Sequence, residues 1–414
     1  MTAPRPYLMI PGPVEVAPNV VAAYSTAPPS HVAPDFIAAF GRSLANLRSA
    51  WLAGPDSQPF IVAGSGTLAM EMAACNIVGP GDRVLIVNTG YFSDRMGEIL
   101  ARYGVEVHHV SAEVGDAVPT DLVTTALDRL LATGGCAAVF VTHVDTSTGV
   151  RVDPAPIAAL ACERGVLSVF DGVCATAAET FRMETWGADV YVTASQKAIG
   201  LPAGLALMVA SPAALAARDR RASPPPLYLD WHAWLPIMRA YEAGTASYFA
   251  TPATTLVNAL DVSLTDLVTE GMEAVFDRHQ RVADAMRTAW TTLGLSLVPV
   301  RPELAANTLS AILYPAGVDA SLLGRIKHHG AIVAGGLHPK IKASYFRVGH
   351  MGYAASQQEM LVATVRAVGL GLRDVGCEVD VEGAVGGMAA LTPQPPLPYD
   401  GRGGGPHPPA PSPV

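Results

Sequence analysis

The amino-acid sequence predicts an α/β fold in which a large domain with a mostly parallel sheet is followed by a smaller α+β domain. Between residues 60 and 211, short apolar segments alternate with segments of helical periodicity. These apolar segments lack the polar alternation of half-exposed strands, which is typical of strands covered by helices on both faces. The 414 residues suffice for two or three domains, and an apolar content of 50% provides a sizeable core.

The elements of the large domain follow from this alternation. Buried strands are predicted at residues 83–88, 105–110, 137–142, 166–170, 190–193 and 205–210. Helical spacing of apolar residues predicts helices at 68–77, 92–103, 121–132 and 156–164. The last connections between strands are less regular, so we expect one strand there to run antiparallel.

The second half of the sequence predicts a different order of elements. Residues 254–293 have helical periodicity with a break near Gly271, and the small domain follows. We predict its strands at 295–300, 309–314, 331–334 and 345–348, and its helices at 320–328 and 356–372. The predicted division is an N-terminal arm at 1–20, the large domain at 21–253, the small domain at 254–388 and a Pro/Gly-rich disordered tail at 389–414.

Composition excludes several classes of protein. The chain has 27 basic and 36 acidic residues with no basic run, which argues against nucleic-acid binding. No apolar run is long enough to cross a membrane. Five cysteines without a C-x-x-C pair predict free thiols in a reducing compartment, here the cytoplasm, with peroxisome and mitochondrion left open. The low charged fraction, 15%, favours an oligomer.

A short Gly-rich turn is the first candidate site. Ser65, Gly66 and Thr67 follow an apolar run and begin a predicted helix, where small residues allow the backbone to approach an anion. The alternative is a tight turn in which Ser or Thr caps the helix, and a G-S-G-T sequence alone is more typical of such a turn.

Two charged residues at the ends of predicted strands are further candidates. Asp171 lies where open α/β sheets bind ligands, although a turn or cap is the simpler interpretation of this residue alone. Lys197 lies in a polar loop before an apolar segment that contains little other charge. Most lysines are solvated, but a poorly hydrated lysine can lose its proton and act as a nucleophile or base.

These three features together fit pyridoxal 5′-phosphate (PLP). The cofactor requires a cradle for its phosphate, a lysine for the Schiff base and an acid for its ring nitrogen. A Rossmann-type oxidoreductase fits less well, because no G-x-G-x-x-G follows the early strands. The sequence contains no pattern that predicts a metal site.

Longer motifs extend this interpretation. They are Ile10-Pro-Gly-Pro, AGSGTL (63–68), TGYFSDR (89–95), VTHVDTSTGV (141–150), FDGVCA (170–175), TASQKAIGLPAGL (193–205), YEAGTASYFATP (241–252), HHGAIVAGGLH (328–338) and FRVGHMG (346–352). Over residues 8–372 the chain resembles the class V PLP-dependent aminotransferases, and within them the alanine–glyoxylate group. The resemblance implies the fold type I architecture of PLP-dependent transferases.

The resemblance also implies roles for individual residues. Lys197 would carry the cofactor and move the α-proton of the substrate, and Asp171 would pair with the pyridinium nitrogen. Phe92, where the family commonly has Trp, would stack on the cofactor ring opposite Val173, and Thr146 would lie near the ring oxygen.

Further roles concern the phosphate and the substrate. Ser65, Gly66, Thr67 and Gln196 would hold the phosphate, although relatives often have His at the position of Thr67. Tyr248 and Thr251 would reach the phosphate from the other subunit of a homodimer. Arg347 would bind the substrate's α-carboxylate as a planar fork, whereas its alternative role is a surface ion pair.

The implied reaction is a ping-pong transamination through pyridoxamine phosphate. L-Alanine would give its amino group to glyoxylate, so that the small-molecule substrates are an amino acid and a 2-oxo acid and the products are pyruvate and glycine. Serine is the alternative donor. A PLP-dependent lyase such as a cysteine desulfurase is less consistent, because residues 331–347 contain no Cys. A non-catalytic assembly subunit would not require Asp171, Lys197 and Arg347 together.

Overall fold

A computed structural model describes residues 5–221 and 223–388 of the protein. The predicted disordered tail at 389–414 and the first four residues of the predicted arm lie outside these described residues. Within residues 5–221 and 223–388, no helix has both the length and the apolar character that crossing a membrane requires.

The strands are short, and most are buried. They are β1 (Tyr7–Leu8), β2 (Gln58–Ala63), β3 (Arg83–Asn88), β4 (Glu106–Ser111), β5 (Ala138–Thr142), β6 (Val144–Asp145), β7 (Val150–Arg151), β8 (Leu167–Asp171), β9 (Val190–Ala194), β10 (Leu205–Ala210), β11 (Leu309–Leu313), β12 (Ala331–Ile332), β13 (Ala334–Gly335) and β14 (Tyr345–Gly349).

Helices separate most of these strands. They are α1 (Pro18–Tyr24), α2 (Pro34–Ala50), α3 (Gly66–Ile77), α4 (Tyr91–Arg102), α5 (Thr120–Ala132), α6 (Pro154–Glu163), α7 (Met183–Trp186), α8 (Pro212–Asp219), α9 (Trp231–Glu242), α10 (Thr254–Glu270), α11 (Met272–Thr292), α12 (Leu322–His328), α13 (Gln358–Asp374) and α14 (Val381–Met388). Short 3-10 helices lie at Leu227–Leu229, Pro302–Leu304 and Gly352–Ser356.

The central sheet has seven strands in the order β2-β10-β9-β8-β5-β3-β4. Strands β9, β8, β5, β3 and β4 are parallel to one another, whereas β10 is antiparallel to both β2 and β9. The predicted α/β class and the single antiparallel strand are therefore confirmed. Because parallel strands end at the same edge of a sheet, the last residues of β5, β8 and β9 lie side by side.

A second, three-stranded sheet has the order β11-β14-β13, and β1 pairs with β12 in parallel. The strand predicted at 295–300 is wrong as a regular element: Leu297 makes an isolated bridge to Ile312. The chain then leaves the sheet, because the Val300 N–H donates to the Gly115 carbonyl at 2.9 Å. The strand predicted at 331–334 is divided, since β12 pairs with β1 and β13 pairs with β14.

Two large groups of buried apolar side chains form the cores, and a small third group contains Val298, Ala311 and Tyr345. The first surrounds the central sheet and includes residues of α2, α3, α9 and α10. The second lies among α11, α12, α13, α14 and the three-stranded sheet. The long helix predicted at 254–293 is present as α10 and α11, broken at Gly271, whose φ is +87°. The predicted domain boundaries stay a prediction.

Candidate active site

A cavity of about 170 Å³ lies at the carboxyl ends of the parallel strands. Its lining includes nine of the residues that the sequence predicts for a cofactor site: Ser65, Gly66, Thr67, Phe92, Thr146, Asp171, Val173, Gln196 and Lys197. Gly12, Met70, Val144 and Cys174 also line it. The fold therefore brings together residues that are up to 132 positions apart between Ser65 and Lys197.

One end of the cavity is formed by the start of α3. Ser65 caps this helix, and its Oγ accepts a hydrogen bond from the Leu68 N–H at 3.4 Å, so the capping interpretation is correct for this residue. Capping still leaves N–H groups of the first turn for an anion. A Cβ at Gly66 would lie 2.9 Å from Val173 Cγ2, so a glycine is needed where α3 approaches the Asp171 loop.

Gln196 adds a polar group to the same cavity. Its Oε1 is buried and has no hydrogen-bond partner among the described residues. The amide, turned about its last bond, would present two N–H donors to an anion. An unpartnered buried amide beside a helix N-terminus is an arrangement that a phosphate group satisfies.

Asp171 is the last residue of β8 and is only 3% exposed. Its Oδ1 accepts a hydrogen bond from the Val173 N–H at 2.9 Å. Burial raises the pKa of this carboxyl group from 3.8 to about 7, and the Val173 hydrogen bond opposes the increase. A buried carboxylate is stabilised by a positively charged partner, and a pyridinium N–H is such a partner.

Lys197 lies in the turn after β9, and burial lowers the pKa of its amine. The charge of Arg347 also lowers this pKa, whereas Cys174 and Asp171 raise it. The Nζ donates a hydrogen bond to the Pro11 carbonyl. Of the four lysines in the chain, the other three lie at 327, 340 and 342, and only Lys197 lines the cavity.

Phe92 and Thr146 are held by one turn, residues 145–149. The Phe92 N–H, in the first turn of α4, donates to Asp145 Oδ2 at 3.0 Å. Asp145 is fully buried, and its Oδ1 accepts from the N–H and the hydroxyl of Ser147 at 2.9 and 2.6 Å. Asp145 thus fixes the start of α4 and the 145–149 turn relative to each other.

Arg347 lies on β14, beside the cavity rather than in its lining. Its Nε donates to the Gly335 carbonyl at 2.9 Å, and its Nη1 donates to the Thr146 carbonyl at 3.1 Å. Among the described residues no carboxylate forms a salt bridge with it, which disfavours the surface ion pair. Two backbone carbonyls orient the guanidinium, so that its remaining N–H groups are available to a substrate carboxylate.

Tyr248 and Thr251 are not brought to the cavity of their own chain. Their hydroxyl groups are 3.3 Å apart, and Tyr248 is 63% exposed. The contribution of both residues to the site of a partner subunit stays a prediction.

The sequence interpretation did not identify the roles of Gly12 and Asp145 in this site. Both occur in motifs that carry the family resemblance, Ile10-Pro-Gly-Pro and VTHVDTSTGV. A Cβ at Gly12 would lie 2.6 Å from Lys197 Cδ, but this contact joins residues 185 positions apart. The contact depends on the tertiary fold, and no local pattern in the sequence reveals it.

The chain is similar to known aminotransferases over most of its length. The family model described as Aminotransferase class-V matches residues 31–299. The chain is 36% identical to alanine–glyoxylate aminotransferase 1 of Saccharomyces cerevisiae, over 87% of this chain and 95% of that protein. It is 32% identical to L-aspartate–glyoxylate aminotransferase of Paracoccus denitrificans, over 93% of this chain and 95% of that protein.

A solved structure leads to the same family. The structure of alanine–glyoxylate aminotransferase from Nostoc sp. matches with a TM-score of 0.83 and 30% identity, over 90% of this chain and 97% of that one. The predicted fold type I architecture and the predicted PLP cofactor are confirmed. The protein belongs to the class V aminotransferases and is a PLP-dependent transaminase.

Proposed function

We propose that the protein transfers the amino group of L-alanine to glyoxylate and forms pyruvate and glycine. The observation that carries this proposal is the position of Lys197, whose buried amine lies in one cavity with Asp171 and within the electrostatic influence of Arg347. Both relatives described above act on glyoxylate according to their names, which supports glyoxylate as the amino acceptor.

The residues of the cavity divide the chemical work. Bound PLP supplies an aldehyde that takes up an amino group and a ring that accepts electrons. Lys197 would hold the cofactor covalently, and its Nζ would take up the proton from the substrate's Cα. Its lowered pKa keeps a larger fraction of the amine unprotonated and thus able to accept that proton.

Asp171 and Arg347 act by charge. Asp171 keeps a proton on the ring nitrogen, because its buried carboxylate is stabilised by a positive partner. Arg347 binds the substrate's α-carboxylate and thereby orients Cα toward Lys197. Ser65, Gly66, Thr67 and Gln196 would hold the phosphate, and Phe92 and Val173 would enclose the ring.

The choice of L-alanine as the amino donor rests on the candidate carboxylate-binding residue, Arg347. Arg347 is the single candidate for binding a substrate carboxylate that the sequence identifies, and one guanidinium fork suits a monocarboxylic amino acid. L-Serine is the second candidate, because the alanine–glyoxylate group that the sequence resembles includes serine-using enzymes.

A spectrum of the purified holoenzyme tests the proposal. We expect L-alanine to remove the visible absorption of the bound cofactor and glyoxylate to restore it. L-Serine and L-aspartate are added to separate samples as competing donors. A response to L-aspartate alone would contradict the proposed donor, and a response to no amino acid would contradict the proposed reaction. The Lys197→Ala variant is the control, which we expect to lack this cycle.

A further inference from the structure

The hydroxyl group of Tyr345 makes three hydrogen bonds that join separate parts of the chain. It accepts from the backbone N–H groups of Leu337 and His338 at 2.8 and 2.9 Å. It also donates to the Ser147 carbonyl. The side chain is completely buried, and removing its hydroxyl leaves three backbone groups without this hydrogen-bond partner.

Tyr345 and Arg347 share one face of β14, because side chains alternate along a strand. Both side chains bind the 145–149 turn, since Arg347 donates to the Thr146 carbonyl and Tyr345 donates to the Ser147 carbonyl. Arg347 also binds Gly335, which lies just before the Leu337–His338 segment held by Tyr345. The tyrosine hydroxyl therefore holds in place the two segments whose carbonyls, at Thr146 and Gly335, orient the Arg347 guanidinium.

The 145–149 turn is itself rigidly attached. Asp145 accepts two hydrogen bonds from Ser147, and the Ser147 Oγ accepts from the Tyr91 N–H at 3.2 Å. The same Asp145 carboxylate accepts from the Phe92 N–H. Tyr345 thus connects β14, which carries Arg347, to the 145–149 turn and, through Asp145, to the start of α4.

We propose that Tyr345 is a positioning residue that sets the Arg347 guanidinium for the substrate's carboxylate, while cofactor binding does not depend on it. The inference rests on the proposed role of Arg347 in the transamination. Without the hydroxyl, β14 and the 335–338 segment lose their attachment to the turn, and the fork loses its fixed orientation. A substrate carboxylate then has to order the fork itself, which weakens binding of every carboxylate substrate alike.

The test compares Tyr345→Phe with Tyr314→Phe. Tyr314 is a matched control, because its ring also packs in the small domain, against Phe346, and its buried hydroxyl has no partner among the described residues. We expect Tyr345→Phe to raise KM for both L-alanine and glyoxylate about tenfold, with kcat and the Kd for PLP within about threefold of the parent protein. Tyr314→Phe should change none of these quantities.

Making Tyr345→Phe in a protein that already lacks Arg347 separates an effect on Arg347 from a general loss of order in the structure. In an Arg347→Gln protein, Tyr345→Phe should add less than about a twofold increase in KM, because the fork that it positions is already absent. An undiminished tenfold increase there would contradict the proposal, as would equal KM values for Tyr345→Phe and Tyr314→Phe.

Pyruvate binding provides a measurement that does not require turnover. Calorimetry should show about tenfold weaker binding of pyruvate to Tyr345→Phe than to the parent protein. If the parent binds pyruvate but does not transaminate L-alanine, the proposed donor fails while the calorimetric comparison still tests Tyr345. If the parent binds neither pyruvate nor glyoxylate, the carboxylate role of Arg347 is contradicted and the inference with it. Failure of Tyr345→Phe to fold would show that the hydroxyl is required for the structure as a whole, which would contradict a role limited to positioning Arg347.

Discussion

At position 171 a carboxyl group is enclosed at the end of β8, and its proton affinity differs between the folded and unfolded chain. Burial raises the pKa from 3.8 to about 7 in the folded protein. Between these two values the folded state therefore binds a proton that the unfolded state has released. By linkage, the contribution of Asp171 to stability is full below pH 3.8 and is lost as the pH rises through 7.

This difference predicts how Asp171→Asn changes the cofactor-free protein. The variant should match the parent near pH 4 and exceed its free energy of unfolding by up to about 4 kcal/mol at pH 8, because Asn carries no charge to bury. Urea unfolding at several pH values measures the difference. The exposed Asp56, which makes no ion pair among the described residues, provides the control in Asp56→Asn. Asp189→Asn is unsuitable, because burial also raises the pKa of the Asp189 carboxyl group. An Asp171→Asn protein that is less stable than the parent at pH 8 would contradict the stated cause.

The same variant should lose catalysis when loaded with PLP. A neutral amide in place of the Asp171 carboxylate cannot stabilise a positive ring nitrogen, so we expect kcat to fall by at least about a hundredfold with a smaller change in KM. Steady-state kinetics with saturating cofactor measures this effect. A kcat within about tenfold of the parent value would show that the ring nitrogen does not depend on Asp171.

Single residues differ in how far the sequence predicts them. Asp171 and Lys197 could be found because both follow apolar strands of a parallel sheet, whose ends share one edge. Arg347 could be assigned only through the family motif, since its supports at Gly335 and Thr146 come from distant segments. The three bonds of Tyr345 involve backbone atoms, which no residue pattern identifies.

The N-terminal segment before α1 contacts Lys197, whose Nζ donates to the Pro11 carbonyl. Its strand β1 pairs with β12, and the Gly349 N–H, at the end of β14, donates to the Met9 carbonyl at 2.8 Å. On its other side, the Val14 N–H donates to the Gln196 carbonyl at 3.2 Å. Residues 9–14 thus lie between the strand of Arg347 and the turn of Lys197.

Gly12→Ala should disturb this contact. Its φ is +93°, and a Cβ would lie 2.6 Å from Lys197 Cδ and 2.9 Å from Nζ. Gly135→Ala is the matched control, because Gly135 has a φ of +96° and a Cβ at this position would meet no atom within 4 Å. Both variants should lose about 1–2 kcal/mol of stability from backbone strain, but only Gly12→Ala should weaken PLP binding, by about tenfold or more. Absorbance titration of the cofactor-free proteins measures the affinities, and equal values would contradict the contact.

The sequence predicts the strands of the central sheet better than strands that pair with distant segments of the chain. Strands β3, β5, β8 and β9 agree with the predicted ranges to within a few residues, because burial on both faces leaves a continuous apolar run. Strand β4 also agrees in range, although it is partly exposed. The segment at 295–300 has a similar apolar composition, yet it turns toward Gly115 after one bridge. The division of 331–334 arises because β12 pairs with β1, more than 320 residues away in sequence.

At the scale of the whole molecule, a buried carboxylate links the segment after Asp171 to the small sheet. Glu179 Oε1 accepts from the Asn307 N–H at 2.5 Å, and its Oε2 accepts from Asn307 Nδ2 at 3.0 Å and from Arg151 at 3.2 Å. Asn307 lies just before β11, the neighbour of the Arg347 strand. This carboxylate therefore joins the segment after Asp171 to the segment that leads into β11.

The predicted homodimer also belongs to this scale. Tyr248 is exposed and lies away from its own cavity, so a heterodimer can test whether it serves the partner's site. A Lys197→Ala chain paired with a Tyr248→Ala chain should regain about half of the parental activity, because one of the two sites then has both residues. Two affinity tags allow the heterodimer to be purified and assayed.

The reciprocal pairing is the control for this experiment. A chain with both substitutions, paired with an unsubstituted chain, should be inactive if Tyr248 acts on the partner's site. Activity of this second heterodimer together with inactivity of the first would place Tyr248 in its own chain's site and contradict the shared-site prediction. Apart from the family resemblance at Tyr248 and Thr251, the sequence suggested an oligomer only through its low charged fraction, since a subunit interface leaves no local pattern.

The most direct test of the account is the position of the covalent link to PLP. Borohydride reduction of the holoenzyme, followed by digestion and mass spectrometry, locates the modified lysine. We expect the cofactor on the peptide that contains Lys197, which is far in sequence from Lys327, Lys340 and Lys342 and is readily separated from them. A reduced cofactor on one of those three lysines, or on none of the four, would contradict the assignment of the active site.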